Sequence, residues 1–193
     1  AIRKHGGAIP AQRITLEFKF DERHRMHIDE KRRIGAAAAA RVMPGQTVMV
    51  DTGTTTLELA KALAARAVEC TVVTSSLAIA SVLWGHPAVS LVLTGGRVRG
   101  TSPDLAGPGT ELLLERLTAD VAFLGSDGID AARGSFAGDA DAARVAEQMA
   151  AHARAAVIVA DSSKLRGASA VRYLPAGRIT ELITDTGAPR AVV

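Results

Sequence analysis

Asp51-Thr52-Gly53-Thr54-Thr55-Thr56 places a carboxylate, a glycine and four hydroxyls between an apolar run, Val48-Met49-Val50, and an amphipathic stretch, Leu57–Leu63. A strand that turns through glycine and threonine straight into a helix makes a cradle for an anion. The hydroxyls and the first free amides of the helix can face phosphate oxygens, and the helix dipole favours negative charge there. The segment lacks the glycine-lysine-serine/threonine ending of a nucleotide P-loop and the three spaced glycines of a dinucleotide fold. The competing reading is an ordinary strand-to-helix turn with Thr54 or Thr55 as the N-cap.

Four further apolar runs end in similar chemistry. Cys70–Thr74 leads into Ser75-Ser76, Val89–Leu93 into Thr94-Gly95-Gly96-Arg97, Asp120–Gly125 into Ser126-Asp127-Gly128-Ile129-Asp130, and Ala155–Ala160 into Asp161-Ser162-Ser163-Lys164. Ligands of open parallel sheets bind beyond the carboxyl ends of the strands. Five small, polar or charged ends in succession suit a polyhydroxylated, phosphorylated ligand, with hydroxyls and carboxylates on sugar oxygens and lysine on phosphate. Only five lysines occur beside eighteen arginines, which draws attention to Lys31 and Lys164 as phosphate partners; a surface charge is the alternative for each. Arg97 and Arg99 are weaker candidates for the same anion. Asp127 and Asp130 suit sugar hydroxyls or acid/base work, against the alternative of an Asp-Gly turn.

These ends must be carried by elements. Helix patterns occupy Asp29–Val42, Thr55–Arg66, Leu77–Leu83, Glu111–Leu117 and Asp141–Ala153, alternating with strands at Thr47–Asp51, Cys70–Thr74, Val89–Leu93, Asp120–Gly125, Ala155–Ala160 and Thr180–Thr184. Alternation of this kind predicts an α/β fold, an open Rossmann-like, mostly parallel sheet with helices on both faces. Runs such as Val157-Ile158-Val159-Ala160, apolar throughout, suit strands covered on both sides. His5–Pro10 reads as a hinge, and the alternation of Leu16, Phe18 and Phe20 as a short strand. No internal repeat and no second body domain is evident.

The 193 residues are enough for one sizeable domain, with 48% hydrophobic residues and 3% aromatic, so the core is aliphatic and recognition by aromatic stacking is disfavoured. Residues 1–33 carry nine Lys/Arg against five Asp/Glu, and the remaining 160 carry 14 against 15. A basic lead-in thus precedes a near-neutral body; it reads as a solvated linker or as a segment lying near nucleic acid. Cys70 excludes an internal disulfide, since it is the one cysteine, and points to a reducing cytoplasm. No apolar run approaches a membrane span, and the polar, basic start is no signal peptide. The five histidines have no metal-ligand spacing, no cofactor is indicated, and no nucleophile elbow is present.

In order along the chain, Arg3-Lys4-His5-Gly6-Gly7-Ala8, Arg23 with Glu30-Lys31 and Ala36–Ala40, Asp51–Thr55, Val73-Thr74-Ser75, Leu93–Gly96, Asp127–Asp130 and Asp161–Lys164 resemble the ligand-sensing domain of DeoR-family bacterial transcription regulators. The resemblance implies a ribose-5-phosphate isomerase-like fold. It implies a cytoplasmic regulator of sugar metabolism, more often a repressor, whose sensor binds a phosphorylated sugar. Thr52–Thr56, Asp127, Asp130, Lys31 and Lys164 are then expected ligand contacts. Residues 1–22 would be a basic linker after a winged-helix DNA-binding domain that this chain lacks, and 23–193 the sensor. Operator DNA, reached through that domain, and a homodimer or homotetramer follow as expected partners. The isomerase relatives carry a basic glutamate in the region of Arg144, here flanked by Asp139 and Asp141, so the resemblance favours a sensor over an enzyme. A sugar-phosphate isomerase is the alternative, with Asp127 or Asp130 as base. Direct DNA binding by 1–33 is a third reading, without a recognition helix to support it.

Overall fold

The computed structural model describes residues 2–4, 7–9, 20–100 and 102–189. All six strands expected from the apolar runs form one parallel sheet: β3 (Thr47–Val50), β4 (Cys70–Thr74), β5 (Val89–Leu93), β8 (Ala119–Leu124), β11 (Ala153–Val159) and β13 (Glu181–Ile183), in the order β13-β11-β8-β3-β4-β5. The first strand to enter this sheet, β3, lies in its interior. From β3 the chain builds outward to β4 and β5, then crosses back to β8 on the other side and continues to β11 and β13. The junction between β3 and β8, in register at Val50 and Phe123, is therefore a topological switch point, where loops after adjacent strands diverge and open a crevice.

Alternation along each strand divides the core into two faces. Val48, Val50, Val72, Phe123, Val157 and Val159 pack under α1 (Ile28–Ala39), α2 (Thr54–Arg66) and α3 (Leu77–Leu83). Met49, Val73, Ala122, Leu124, Ala156 and Ile158 pack under α4 (Pro108–Leu114) and α5 (Ala140–Ala151). Gly35 sets the crossing of α1 and α2: a Cβ built on it lies 2.6 Å from the Glu58 carbonyl carbon, so any side chain there forces the helices apart.

Two small antiparallel units lie outside the alternating pattern. One is the ribbon β6 (Arg97–Val98) with β7 (Leu105–Ala106). The other is a three-stranded sheet, in the order β12-β10-β9, of β9 (Gly128–Asp130), β10 (Gly134–Ala137) and β12 (Val171–Leu174). The second corrects the reading of Gly128–Asp130 as a loop. These strands are short, and β9 and β10 are joined by a tight turn with Gly134 at φ 108°, a conformation that favours glycine.

The first residues also differ from expectation. β1 (Ile2–Lys4) and β2 (Gly7–Ile9) pair antiparallel where a hinge is expected; His5, Gly6 and Pro10 lie outside the described residues. So do Leu16 and Phe18, while Phe20 belongs to a helical stretch, 20–25, and not to a strand. That stretch joins α1 through His27, a non-glycine residue in the left-handed region (φ 54°). None of the described helices is long and apolar enough to cross a membrane.

Candidate functional site

A cleft of about 120 Å³ opens at the switch point. Its floor is the loop after β3. Gly53 is the N-cap of α2 with φ −74° and ψ 166°, and Thr54 is already helical, so the reading with Thr54 or Thr55 as N-cap does not hold. No side chain caps this end. Thr56 Oγ1 lies instead 2.7 Å from the Asp51 carbonyl and 2.8 Å from the Gly53 carbonyl, which tightens the turn. The first amides of α2 have no acceptor within the helix and face the cleft that Thr54 and Thr55 line. Gly53 has an ordinary extended backbone, and a Cβ on it would meet only van der Waals neighbours, 3.5 Å at the nearest. The turn does not demand glycine for its conformation.

Asp51 ties this loop to the next strand end. Its Oδ2 accepts the Gly125 amide at 3.0 Å, and its own amide donates to the Phe123 carbonyl at 3.0 Å. Burial pushes its carboxyl up to about 6; the amides of Thr52 and Gly125 hold it lower, and the charges of Asp104 and Asp127 add to the rise. Tyr173, from β12, donates to the Gly125 carbonyl at 2.5 Å, and Ser135 Oγ lies 2.9 Å from its hydroxyl and 2.7 Å from Ser126 Oγ. The small antiparallel sheet thereby buttresses the loop after β8.

One side of the cleft is basic. Lys31, on α1, is 4% exposed and lines the cleft, and its ammonium donates to the backbone carbonyl of Arg23. Burial lowers its pKa; Asp161 opposes the shift, while Lys164 and Arg23 reinforce it. Lys164 closes a 3-10 turn, Ser162–Lys164, that Asp161 caps by accepting the Ser163 amide at 3.1 Å. Arg23 reaches over the opening to Asp127, with Nη2 at 2.9 Å from Oδ1. Asp127 also accepts the Gly138 amide at 2.8 Å. The other side is acidic, with Asp104 and Asp139 held around Arg99 at 3.4 and 2.6 Å.

The cleft thus gathers Lys31, Asp51, Thr52, Gly53, Thr54, Thr55, Asp127 and Lys164 of the expected residues, and Arg99 as well, there engaged by Asp104 and Asp139. The others lie elsewhere, each with a structural task. Thr56 is internal to the turn. Ser75 is buried, and the Leu105 amide at the start of β7 donates to its carbonyl at 2.9 Å. Ser76 caps α3, accepting the Ile79 amide at 3.2 Å. The Gly95 carbonyl accepts Thr110 Oγ1 at 2.6 Å, and Gly96 sits at φ 127° against Thr110 and the Ala106 carbonyl. Arg97 is exposed and pairs with Asp141 at 3.4 Å. A Cβ on Gly128 would come within 2.5 Å of the Gly167 carbonyl oxygen, so close strand-to-loop packing requires the glycine. Asp130 accepts the amides of Ala132 and Arg133 at 3.0 and 2.9 Å and pairs with the Arg133 guanidinium, contacts that hold its carboxyl below the usual range. Conversely, Phe20, Met26, His27, Asp104 and Tyr173 line the cleft without having been singled out. They follow none of the five strand ends. Among the described residues no group of three or more His, Cys, Asp or Glu side chains is placed to hold a metal ion.

The profile of the DeoR C terminal sensor domain matches residues 26–186. The chain belongs to that family. As a DeoR-type sensor domain it is 34% identical over 185 residues to the HTH-type transcriptional regulator GlpR of Haloferax volcanii, covering 95% of this chain and 71% of that protein. To the HTH-type transcriptional repressor CsqR of Escherichia coli it is 31% identical, covering 98% and 72%. To the repressor GlcR of Bacillus subtilis it is 32% identical, covering 95% and 70%. Among solved structures the DeoR sensor fold is similar to ribose 5-phosphate isomerase A of Methanocaldococcus jannaschii, with a TM-score of 0.54 at 18% identity over 71% of this chain. It is equally similar to translation initiation factor eIF-2B of Pyrococcus horikoshii, with a TM-score of 0.54 at 14% identity over 87%. The chain spans 54% of the isomerase and 65% of the initiation factor, and the likeness establishes the ribose-5-phosphate isomerase-like fold. In this DeoR-type chain Arg144 does not line the cleft, pairing with Glu111 at 3.0 Å and Glu147 at 3.1 Å; from this region Asp139 lines it, with Ala137, Ala142 and Ala146.

Proposed function

We propose that this domain senses a phosphorylated sugar or a closely related intermediate and passes its presence to a DNA-binding domain of the same regulator. The observation that carries the reading is the convergence of Lys31, Lys164 and the uncapped N-terminus of α2 on one cleft. Two ammonium groups and a turn of free amides are complementary to a phosphate dianion. Asp51, Asp127 and the Thr52 hydroxyl line the same cleft as hydrogen-bond partners for sugar hydroxyls.

The transmission follows from the protein partners of these groups. Lys31 is bonded to the Arg23 carbonyl and Asp127 to the Arg23 guanidinium, so both ends of Arg23 engage ligand groups. An effector that takes Lys31 and Asp127 releases or re-seats the 20–25 stretch, which continues toward the chain start. Ligand and stretch compete for the same partners. The effector then biases the equilibrium only by its differential affinity for the two arrangements, and a shift from 1:99 to 99:1 needs about 5.5 kcal/mol. We further propose that the regulator is a cytoplasmic homodimer or homotetramer reading operator DNA symmetrically.

An isomerase reading would have to use Asp127 as base, since Asp130 is turned to Arg133 outside the cleft; Asp127 lines the cleft but is paired with Arg23 and accepts the Gly138 amide, and among the described residues that line the cleft there is no glutamate. The test is a thermal-shift panel of pentose and hexose phosphates with their unphosphorylated sugars, each followed by NMR for turnover. A ligand at a hundred times its Kd adds about 2.7 kcal/mol of stability. Stabilisation by a phosphorylated sugar that is recovered unchanged supports the sensor. Conversion of the sugar supports the enzyme, and no stabilisation by any compound removes the cleft as an effector site.

A further inference from the structure

Asp104 stands at the acidic side of the cleft and is used by neither phosphate recognition nor the sheet. The backbone fixes it on both flanks: a single antiparallel bridge pairs it with Ser76, Leu77 donates to the Pro103 carbonyl at 2.9 Å, and Leu105 donates to the Ser75 carbonyl at 2.9 Å. The residue is 3% exposed and yet lines the cleft. Its Oδ2 lies 3.4 Å from Arg99 Nη1, but the closer partner of that arginine is Asp139, at 2.6 Å. Its Oδ1 is buried and has no hydrogen-bond partner among the described residues. A buried carboxylate oxygen without a donor is unfavourable, and native structures seldom keep one without a use.

The two sides of the cleft also differ in the charges that reach them. Asp161, Lys164 and Arg23 act on Lys31, whereas Arg99, Asp139 and Asp51 surround Asp104, with the Thr52 hydroxyl alongside. Two carboxylates around one guanidinium, with Asp51 near Asp104, repel a phosphate and attract a donor. A ligand phosphate seated among Lys31, Lys164 and the start of α2 leaves the rest of its body to face Asp104.

We propose that Asp104 is a specificity residue of the effector site, its Oδ1 accepting a hydrogen bond from a donor on the ligand's non-phosphorylated end. The inference rests on the reading of the cleft as a sugar-phosphate site and narrows it. The effector is a phosphorylated polyhydroxy or amino compound with a hydroxyl or ammonium group remote from the phosphate, and bare phosphate makes no use of Asp104. Arg99 acts as a positioning residue, since it meets the Asp104 carboxylate through its other oxygen, and Asp139 in turn holds Arg99.

Titration calorimetry of wild type, Asp104→Ala and Asp104→Asn with ribose 5-phosphate, fructose 6-phosphate, glucosamine 6-phosphate and inorganic phosphate tests this, together with the unliganded melting midpoint of each protein. Every sugar phosphate that binds wild type is expected to bind Asp104→Ala about tenfold to a hundredfold more weakly, the range of one hydrogen bond to a charged group. Inorganic phosphate is expected to bind both alike, with midpoints within a few degrees. Preference of wild type for glucosamine 6-phosphate over fructose 6-phosphate, lost in Asp104→Asn, identifies the donor as ammonium; no such preference identifies a hydroxyl. Equal affinity of sugar phosphates for wild type and both variants overturns the inference while the cleft reading stands. Equal loss of sugar phosphates and inorganic phosphate, with a lowered midpoint, shows a structural role and also overturns it. Failure of wild type to bind any of the four overturns this inference and the cleft reading together.

Discussion

On the β3–β8 side of the sheet, Thr52, Thr54 and Thr55 line a cleft, although Thr54 and Thr55 are only 5% and 8% exposed; on the β4–β5 side, Ser75, Ser76 and Thr94 are buried at 0–1% exposure and do not line it. The residue types are nearly the same, and so is their position just past the carboxyl end of a parallel strand. What differs is the neighbouring chain. The loops after β3 and β8 belong to adjacent strands whose connections leave in opposite directions, which opens a crevice between them that Arg23 only bridges at its mouth. The loops after β4 and β5 are roofed by the segment 102–106 and by α4, which take their carbonyls and bury their hydroxyls. Polarity at a strand end marks a turn that must be hydrogen-bonded; whether a ligand or the protein supplies the bonds is decided by strand order.

The comparison makes graded predictions. The largest effect belongs to the basic side. Lys31→Met and Lys164→Met are each expected to weaken sugar-phosphate binding by about 2 kcal/mol or more, at least roughly thirtyfold, whereas Arg97→Met on the other half leaves it unchanged; titration calorimetry reads all three. Comparable loss from Arg97→Met would break the distinction between the halves.

The next effect concerns pH. Asp51 titrates near 6 in the folded protein and near 3.8 when unfolded. Because the folded pKa is the higher, the folded state holds the proton more tightly between these values, and stability from this group falls as pH rises from about 4 through about 6. The loss amounts to about 3 kcal/mol. In urea denaturation without ligand, Asp51→Asn is expected to remove this slope, so that its stability relative to wild type rises from pH 4 to pH 7. A constant difference across that range would show that Asp51 is not buried as described.

Smaller effects test the second half directly. Ser76→Ala removes the cap of α3 and is expected to cost about 1 kcal/mol in urea denaturation with no change in sugar-phosphate affinity. Ser75→Ala deletes a buried hydroxyl that has no partner among the described residues, so stability is expected to stay within about 0.5 kcal/mol of wild type or to rise. A loss of ligand affinity in either variant would place the effector nearer β4 than the cleft at β3 and β8.

Much of this fold was legible in the chain. The central strands of the parallel sheet are apolar runs buried on both faces, and the edge strands Val89–Leu93 and Glu181–Ile183 are only partly buried; such runs are readable when helices separate them. Helix bounds shifted by a few residues, as with α4, where Pro108 starts the helix at its first turn and the apolar pattern begins only later. The antiparallel β9, β10 and β12 escaped because three or four residues with a glycine turn carry too little periodicity to be read. In the cleft, the turn Thr52–Thr55 and both lysines were legible from residue types as lining residues. Asp104 and Tyr173 were not, because neither follows a strand of the main sheet; one is placed by pairing with Ser76 and the other by the small sheet, and both placements depend on long-range contacts. Asp130 misled for the converse reason: a local turn with Arg133 had already taken both its oxygens.

The central claim, that the effector lies at the junction of β3 and β8, is tested most directly by amide chemical-shift mapping of the ¹⁵N-labelled protein titrated with ribose 5-phosphate and fructose 6-phosphate. The account predicts perturbations concentrated at Gly53–Thr56, Gly125–Asp127, Asp161–Lys164 and the 20–25 stretch, with residues 74–76 and 94–97 unmoved. Perturbations centred on 74–76 and 94–97, with the amides of Gly53–Thr56 unmoved at saturation, would contradict it.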